Sequence, residues 1–529
     1  MQSRESAGTP DLGSQDGVQS APWARSATAL VADLASGALS ATEVVEAHIT
    51  RIEQVNPALN AVVWKRFEAA RAEAVEADRR RRAGAPLGPL HGLPITIKEC
   101  FDFEGSPATF GVVSRKADAA ATDERYVAAL RRAGAIVLGK TNVSQLLLFM
   151  ESDNPLYGMT RNPWDLERTP GGSSGGEAAI IAAGGSPLGL GNDIGGSVRV
   201  PAAFCGIVGF KPTADRMPDQ GRGSVSLGQQ GIRSQVGVHG RYVADVALGM
   251  RIASGGDSPF DGLAPLGDPA AVDVAGLRIG WYVDDELFPA SPAARRAVTE
   301  AAEALARRGA TVTAWKLPDP AHAEALLFGL LGGDRFARSR AILGDSPRDP
   351  RIKQMEDAAR LPRPLVELLL AVTGRRRVRT AIRNFGPYDT AAYWRRVEAL
   401  LDYRARVLAA LGDLDAVLSP SAPLPALRHG ATAEVSAMGA YLCVYNVLGW
   451  PAGVVPWTRV RAGEESDRRP SKDPCFVAAR QAETGSAGLP IGVQVAARPW
   501  RDHVALAVMA ALEGSADAPR MPITPRTGT

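Results

Sequence analysis

Between Pro170 and Pro212 glycine and serine are packed so densely between short apolar segments that no regular strand or helix accounts for them. The run Gly171-Gly172-Ser173-Ser174-Gly175-Gly176 is followed at once by the helix-forming Glu177-Ala178-Ala179-Ile180-Ile181-Ala182-Ala183. A second run, Gly191-Asn192-Asp193-Ile194-Gly195-Gly196-Ser197, comes soon after. Glycine admits backbone conformations that other residues resist, so such runs describe main chain that approaches another group closely. A flexible linker fits poorly between apolar elements. A phosphate-cradling loop would carry GxxxxGK[ST] or a strand-anchored GxGxxG, and neither is present. What remains is a loop whose successive amides, from Ile194 through Gly195 and Gly196 to Ser197, converge on one oxygen as an oxyanion hole, with Ser197 as the nucleophile beside it.

The elements around this segment read as α/β. Ser40-Ala41-Thr42-Glu43 has capping-box spacing, and Val44, Val45, His48, Ile49 and Ile52 continue at helical intervals. Residues 61–83, rich in Ala, Glu and Arg, read as a second helix, broken by Gly84 to Pro94 before a short strand Ile95-Thr96-Ile97 that ends at Lys98. A helix over 123–133 stops at Gly134 before the apolar run 135–138, and strand, helix and strand follow between Leu277 and Val312. Helices dominate until about Leu411. Residues 415–420 and 492–495 then read as strands, with the polar stretch from about 461 to 487 as an exposed loop. Alternation of this kind predicts a sheet covered on both faces.

Composition excludes several classes. The 60 Lys and Arg against 57 Asp and Glu leave no field to recruit nucleic acid. The 4 cysteines (Cys100, Cys205, Cys443, Cys475) are dispersed without CxxC spacing, which points to free thiols and to neither a disulfide scaffold nor a metal site. The polar first 24 residues read as a disordered tail with no signal peptide, and no apolar stretch approaches the ~20 residues of a spanning helix. A cytoplasmic protein acting on a small molecule, with no metal and no cofactor, is expected.

Lys98 after HGLPITI, PGGSSGG at 170–176, and GNDIGGSVRVPAAFCGIVGFKPT at 191–213 resemble the amidase signature family, and the likeness runs from about residue 27 to 514. The resemblance implies a single domain over 25–515 built on a large mixed β-sheet, with a helical insertion at about 320–410 and a C-terminal tail at 516–529. It also implies amide hydrolysis through a Ser-Ser-Lys triad and an acyl-enzyme. The matching positions are Lys98, Ser173 and Ser197; the serines stand 24 apart, which fits the family's register and selects Ser173 over Ser174.

The chemistry requires these residue types. A serine hydroxyl is a poor nucleophile until a base accepts its proton, and none of the 6 histidines stands in a triad-like motif. Lysine must then serve, uncharged, relayed through Ser173. Bringing a lysine from about 10.4 to about 7 or 8 costs the charged form about 4 kcal/mol, which burial can supply. Ser174, and an ion pair of Asp193 with Arg199, are expected to support the loop.

Two positions depart from the family. Asn192 stands where Thr or Ser is common, which alters the hydrogen bonding expected around Ser174. Gly237-Val238-His239-Gly240-Arg241 lacks the usual proline, leaving the path of that loop open. Longer stretches, among them NPLYGMTRNPW and YNVLGWPAGVVPWT, look most like the fatty acid amide hydrolase branch, whereas the glutamine-hydrolysing A subunit of a tRNA-dependent amidotransferase is the weaker match and the alternative reading. By the same resemblance Leu147, Leu148 and Phe149 fall where relatives line the acyl pocket, though the run Leu146 to Met150 reads equally as a buried helix. Residues 361–385 join leucines to Arg375, Arg376, Arg377, Arg379 and Arg383. That mixture suits a weak interfacial contact, with a solvated helical hairpin preferred. A homodimer is left open.

Overall fold

The capping box at Ser40 forms: Ser40 Oγ accepts from Glu43 N, and the Glu43 carboxylate accepts from Ser40 N at 2.8 Å. The helix it opens, Ala41–Leu59, buries Val44, Val45, Ile49 and Ile52. The computed structural model describes residues 21–219, 228–255, 265–372 and 383–516. The two expected tails therefore lie almost wholly outside the described residues. Within the first of them Pro22–Ala24 is nonetheless a 3-10 turn, with the Arg51 guanidinium 4.4 Å above the Trp23 ring.

Residues 61–83 are not one helix. Val62–Lys65 is a strand, β1, because its β-branched and aromatic side chains suit pairing with the chain at 139–141, and the helix begins only at Phe67. The other strands are β2 (Pro94–Lys98), β3 (Ile136–Thr141), β4 (Asp153–Asn154), β5 (Gly158–Met159), β6 (Leu188–Asp193), β7 (Val208–Lys211), β8 (Gln235–Gly240), β9 (Arg278–Trp281), β10 (Thr311–Ala314), β11 (Ala416–Pro420), β12 (Ala452–Arg459) and β13 (Pro490–Ala497). β4 and β5 pair with each other. The remaining 11 strands form one mixed sheet in the order β1-β3-β2-β6-β8-β7-β12-β13-β11-β9-β10.

Pairing is parallel where β2 meets β3 and β6, and where β9 meets β10 and β11; elsewhere it is antiparallel. β2 and β6 therefore end at the same edge, which brings Lys98 beside the Asn192-Asp193 pair. Crevices outside the carboxyl ends of parallel strands are where sheets of this kind bind ligands. The central strands β2, β6, β8, β11 and β13 are buried along their whole length. Covering helices on both faces account for that pattern.

Three expectations are corrected or sharpened beyond the site. The segment at 237–241 is no loop, since Gln235–Gly240 is strand β8, paired with both β6 and β7. The stretch read as an exposed loop contains the helix Pro474–Glu483, because Cys475, Ala478, Ala479 and Ala482 recur at helical spacing and are buried. Its Glu483 carboxylate is buried against Arg468 at 2.9 Å. The region 320–410 is helical as expected: Pro320–Leu331, Ala337–Leu343, Pro350–Arg360, Arg363–Val372 and Thr390–Leu411.

On Arg363–Val372, Leu365, Leu368, Leu369 and Val372 face outward. Arg383 returns to pair with Glu367 at 2.7 Å, whereas Arg375, Arg376, Arg377 and Arg379 lie outside the described residues. No helix among the described residues is long and apolar enough to cross a membrane.

Phe210 on β7 is fully buried in the sheet's core, whereas Leu401 is 55% exposed. Phe210→Ala should lower stability by about 3–5 kcal/mol and Leu401→Ala by no more than about 0.5 kcal/mol, as read from urea unfolding midpoints.

Candidate active site

Lys98 closes β2 and is fully buried. Its Nζ lies 2.6 Å from Ser173 Oγ and 2.5 Å from Asn192 Oδ1. Burial pushes the amine down to about 8, against the pull of Cys100, Asp219, Asp193 and Glu177. A lysine so placed is uncharged in about a tenth of molecules at neutral pH and in about half near pH 8.

Ser173 reaches this point because the glycine run leaves no room for side chains. A Cβ on Gly176 would sit 2.4 Å from Asn142 N, and one on Gly172 2.5 Å from Glu151 N. The Gly172–Ser173 peptide is cis. Ser152 Oγ ties the loop together, donating to Gly171 O at 3.2 Å and accepting from Gly175 N at 2.8 Å. The helix Gly175–Ala182 then places Glu177 beneath the sheet edge, where the Thr96 and Thr141 hydroxyls donate to its carboxylate. Burial pushes that carboxyl up to about 7.

Ser197 follows β6 on the turn Ile194–Gly196. Ser174 N donates to Ser197 O at 3.3 Å, so the two serine-bearing loops lie against each other. Ser173 and Ser197 both border a cavity of about 150 Å³, together with Asn192, Ile194 and Asp219. Their hydroxyls make no direct hydrogen bond to one another, and Ser197 Oγ is without a protein partner among the described residues. Ser197 also borders a larger cavity of about 290 Å³, walled by Leu147, Leu148, Phe149, Met150, Leu327, Phe328, Leu331 and Met355. The run at 146–150 is no helix. Leu146 and Leu147 have φ of 55° and 61°, and Leu146 turns into the core while its three successors face the cavity.

The converging amides are fewer than the sequence suggests. Gly196 N donates to Asp193 Oδ1 at 2.8 Å and Val198 N to Asp193 Oδ2 at 3.1 Å. The amides of Ile194, Gly195 and Ser197 have no protein acceptor among the described residues. Gly196 itself is required by φ of +115°, and a Cβ there would meet Leu442 Cβ at 2.9 Å.

Asp193 and Arg199 form a fully buried pair at 3.0 Å. Despite burial, the Arg199 guanidinium holds the Asp193 carboxyl well below the usual carboxylate range. Arg199 also donates to Leu442 O, Gln494 Oε1 and Asn446 Oδ1 at 2.9, 2.8 and 2.7 Å. Ser174 contributes less than expected, since its hydroxyl lies 3.5 Å from Asn192 O, beyond a useful hydrogen bond. His239 stands behind the loop, where Nε2 donates to Val198 O at 2.9 Å and burial pushes the ring down to about 4.

Asn192, Asn446 and Gln494 are site residues that sequence reasoning did not assign. Asn192 carried a signal, its departure from a hydroxyl. Asn446 and Gln494 carried none, standing 247 and 295 positions from Arg199.

The Amidase family model matches residues 43–506 of the chain. Fatty-acid amide hydrolase 1 of Sus scrofa is 35% identical over 499 residues, which cover 92% of this chain and 84% of that one. The A subunit of the glutamyl-tRNA(Gln) amidotransferase of Roseiflexus castenholzii is 34% identical, with 80% of this chain and 87% of the relative covered. A solved fatty acid amide hydrolase superposes with a TM-score of 0.80 at 25% identity, over 93% of this chain and 85% of that chain.

Asp193→Ala leaves the Arg199 guanidinium buried without its counter-charge. It should lower stability by about 3–5 kcal/mol in urea unfolding, and a loss below about 1 kcal/mol would contradict the role of this pair.

Proposed function

Because the chain belongs to the amidase signature family, whose members hydrolyse amide C–N bonds, we propose that it cleaves acyl amides through Ser197, Ser173 and Lys98. The observation that carries the reading is the fully buried Lys98 amine 2.6 Å from the Oγ of Ser173, a serine that borders one cavity together with Ser197.

Ser197 Oγ attacks the carbonyl carbon as its proton passes to Ser173, whose own proton passes to uncharged Lys98. The carbonyl oxygen becomes an oxyanion, met by the amides of Ile194, Gly195 and Ser197; that of Gly196 is occupied by Asp193. When the intermediate collapses, the proton returns from Lys98 through Ser173 to the departing nitrogen, which leaves as an amine. Water, deprotonated along the same path, then releases the carboxylic acid from Ser197. His239 takes no part, since its Nε2 proton is committed to Val198 O.

The larger cavity supports a substrate with an apolar acyl or aryl part. Its walls of Leu147, Leu148, Phe149, Leu327 and Phe328 suit an apolar acyl chain or an aryl group. Arg351, Glu324 and Glu434 also border the cavity, so charged groups stand at its margin beside this apolar wall. Esters and carbamates that fit this cavity react by the same acyl transfer.

Ser197→Ala should abolish turnover and labelling by a fluorophosphonate, with the wild-type adduct located on Ser197 by mass spectrometry. Lys98→Ala should lose roughly 10²–10⁴-fold in kcat, with Ser173→Ala less affected. An adduct on Ser173, or robust hydrolysis by Ser197→Ala, would overturn the assignment.

The base works uncharged, so kcat/KM should rise with pH through about 8, the position burial gives Lys98, and fall away below it as the amine protonates. Across amides of graded acyl length, kcat/KM should climb with chain length until the cavity is filled. Turnover of glutamine alone, and only with companion subunits, would favour the amidotransferase reading.

A further inference from the structure

The Asn192 side chain is held at both ends. Its Oδ1 lies 2.5 Å from Lys98 Nζ, and its Nδ2 donates to Asp219 Oδ2 at 2.5 Å. Asp219 is fixed in turn, because its Oδ2 accepts from Ser234 Oγ at 3.1 Å and its N–H donates to Ser234 O at 2.9 Å. These partners settle which way the amide points. A carboxylate can only accept, so the NH₂ group faces Asp219 and the carbonyl is left for the lysine.

That orientation matters for a lysine acting as a base. A hydroxyl at position 192 could donate to the nitrogen lone pair and occupy the place the proton must take. A carbonyl oxygen can only accept, so it engages an N–H and leaves the lone pair for Ser173. The same oxygen binds an ammonium more strongly than an amine, and a carboxylate behind the amide strengthens it further.

Other groups face Lys98 from every side, but they are otherwise committed. Asp193, beside Asn192 on β6, is bound to Arg199. Glu177, from the helix Gly175–Ala182, accepts from two threonine hydroxyls. Cys100, just beyond β2, is pushed up by burial, and His239 from β8 is pushed down and uncharged. Asp219 is the carboxylate joined to the lysine by a hydrogen-bonded path among the described residues.

We infer that Asn192 and Asp219 are positioning residues for the proton transfer: Asn192 turns the Lys98 lone pair towards Ser173, and Asp219, acting through Asn192, stabilises the ammonium as it forms. This rests on the reading of Lys98 as the base.

The test is the pH dependence of kcat/KM, and of the rate at which a fluorophosphonate labels Ser197, in wild type, D219N, N192L and the double variant. Loss of the carboxylate disfavours the ammonium, so the ascending limb should move to lower pH in D219N, by roughly half a unit or more. The plateau should fall on the order of 10-fold as the base weakens. D219E should restore both. In the N192L background, itself shifted to lower pH, D219N should add nothing. Glu177 titrates in the same range, so the limb belongs to the set of groups and the comparison of variants isolates the share of Asp219.

A folded D219N protein whose limb coincides with wild type overturns the inference, as does a D219N shift of equal size with and without Asn192. A wild-type profile with no ascending limb overturns the lysine-base reading itself. A merely structural role for Asp219 would lower activity without moving the labelling limb.

Discussion

The buried pair of Asp193 with Arg199 organises this molecule. Asp193 ends the strand next to the one that carries Lys98, and its two oxygens draw in the amides of Gly196 and Val198. Arg199 spends its remaining donors on Leu442, Asn446 and Gln494, which belong to elements far along the chain. One ion pair thus shapes the serine loop and locks it to the distal part of the sheet. A buried pair of this kind contributes little net stability against an apolar replacement. Its value here is geometric, since the turn it folds is the one that presents Ser197.

The second constraint is the removal of Lys98 from water. A lysine can serve as a proton acceptor only where its charged form is disfavoured, and complete burial at the end of a central strand achieves that. Too strong a displacement would leave a base too weak to take a serine proton. The surrounding carboxylates, Asp219, Asp193 and Glu177, oppose the effect of burial. The resulting balance is set by the fold as a whole, because these groups arrive from a loop, a strand and a helix.

Much of this was legible in the sequence, and the exceptions have physical reasons. The glycine-serine runs announced themselves because close packing of main chain excludes side chains, as Gly172 and Gly176 illustrate. Lys98 at a strand end followed from its apolar approach, Ile95-Thr96-Ile97. Strand β1 was hidden because it is only four residues long and sits between one helix and an Ala- and Glu-rich second, so composition over the window favoured helix. The helix Pro474–Glu483 was masked by its polar surroundings. The engagement of the Gly196 amide could not be read from glycine spacing, since it depends on where a carboxylate three residues earlier turns back. Asn446 and Gln494 reach Arg199 only through the tertiary fold.

The cavity beside Ser197 has a divided origin. Its floor comes from the sheet edge, the turn before Ser197 and the run Leu147 to Met150, while Leu327, Phe328, Leu331 and Met355 are contributed by the helical region between residues 320 and 360. Part of the cavity wall is therefore written in a stretch of the gene separate from the residues proposed for the reaction. Mutations in the roof can remodel which molecules enter while the proposed proton path below keeps its dimensions, so divergence towards new substrates needs no rebuilding of that path.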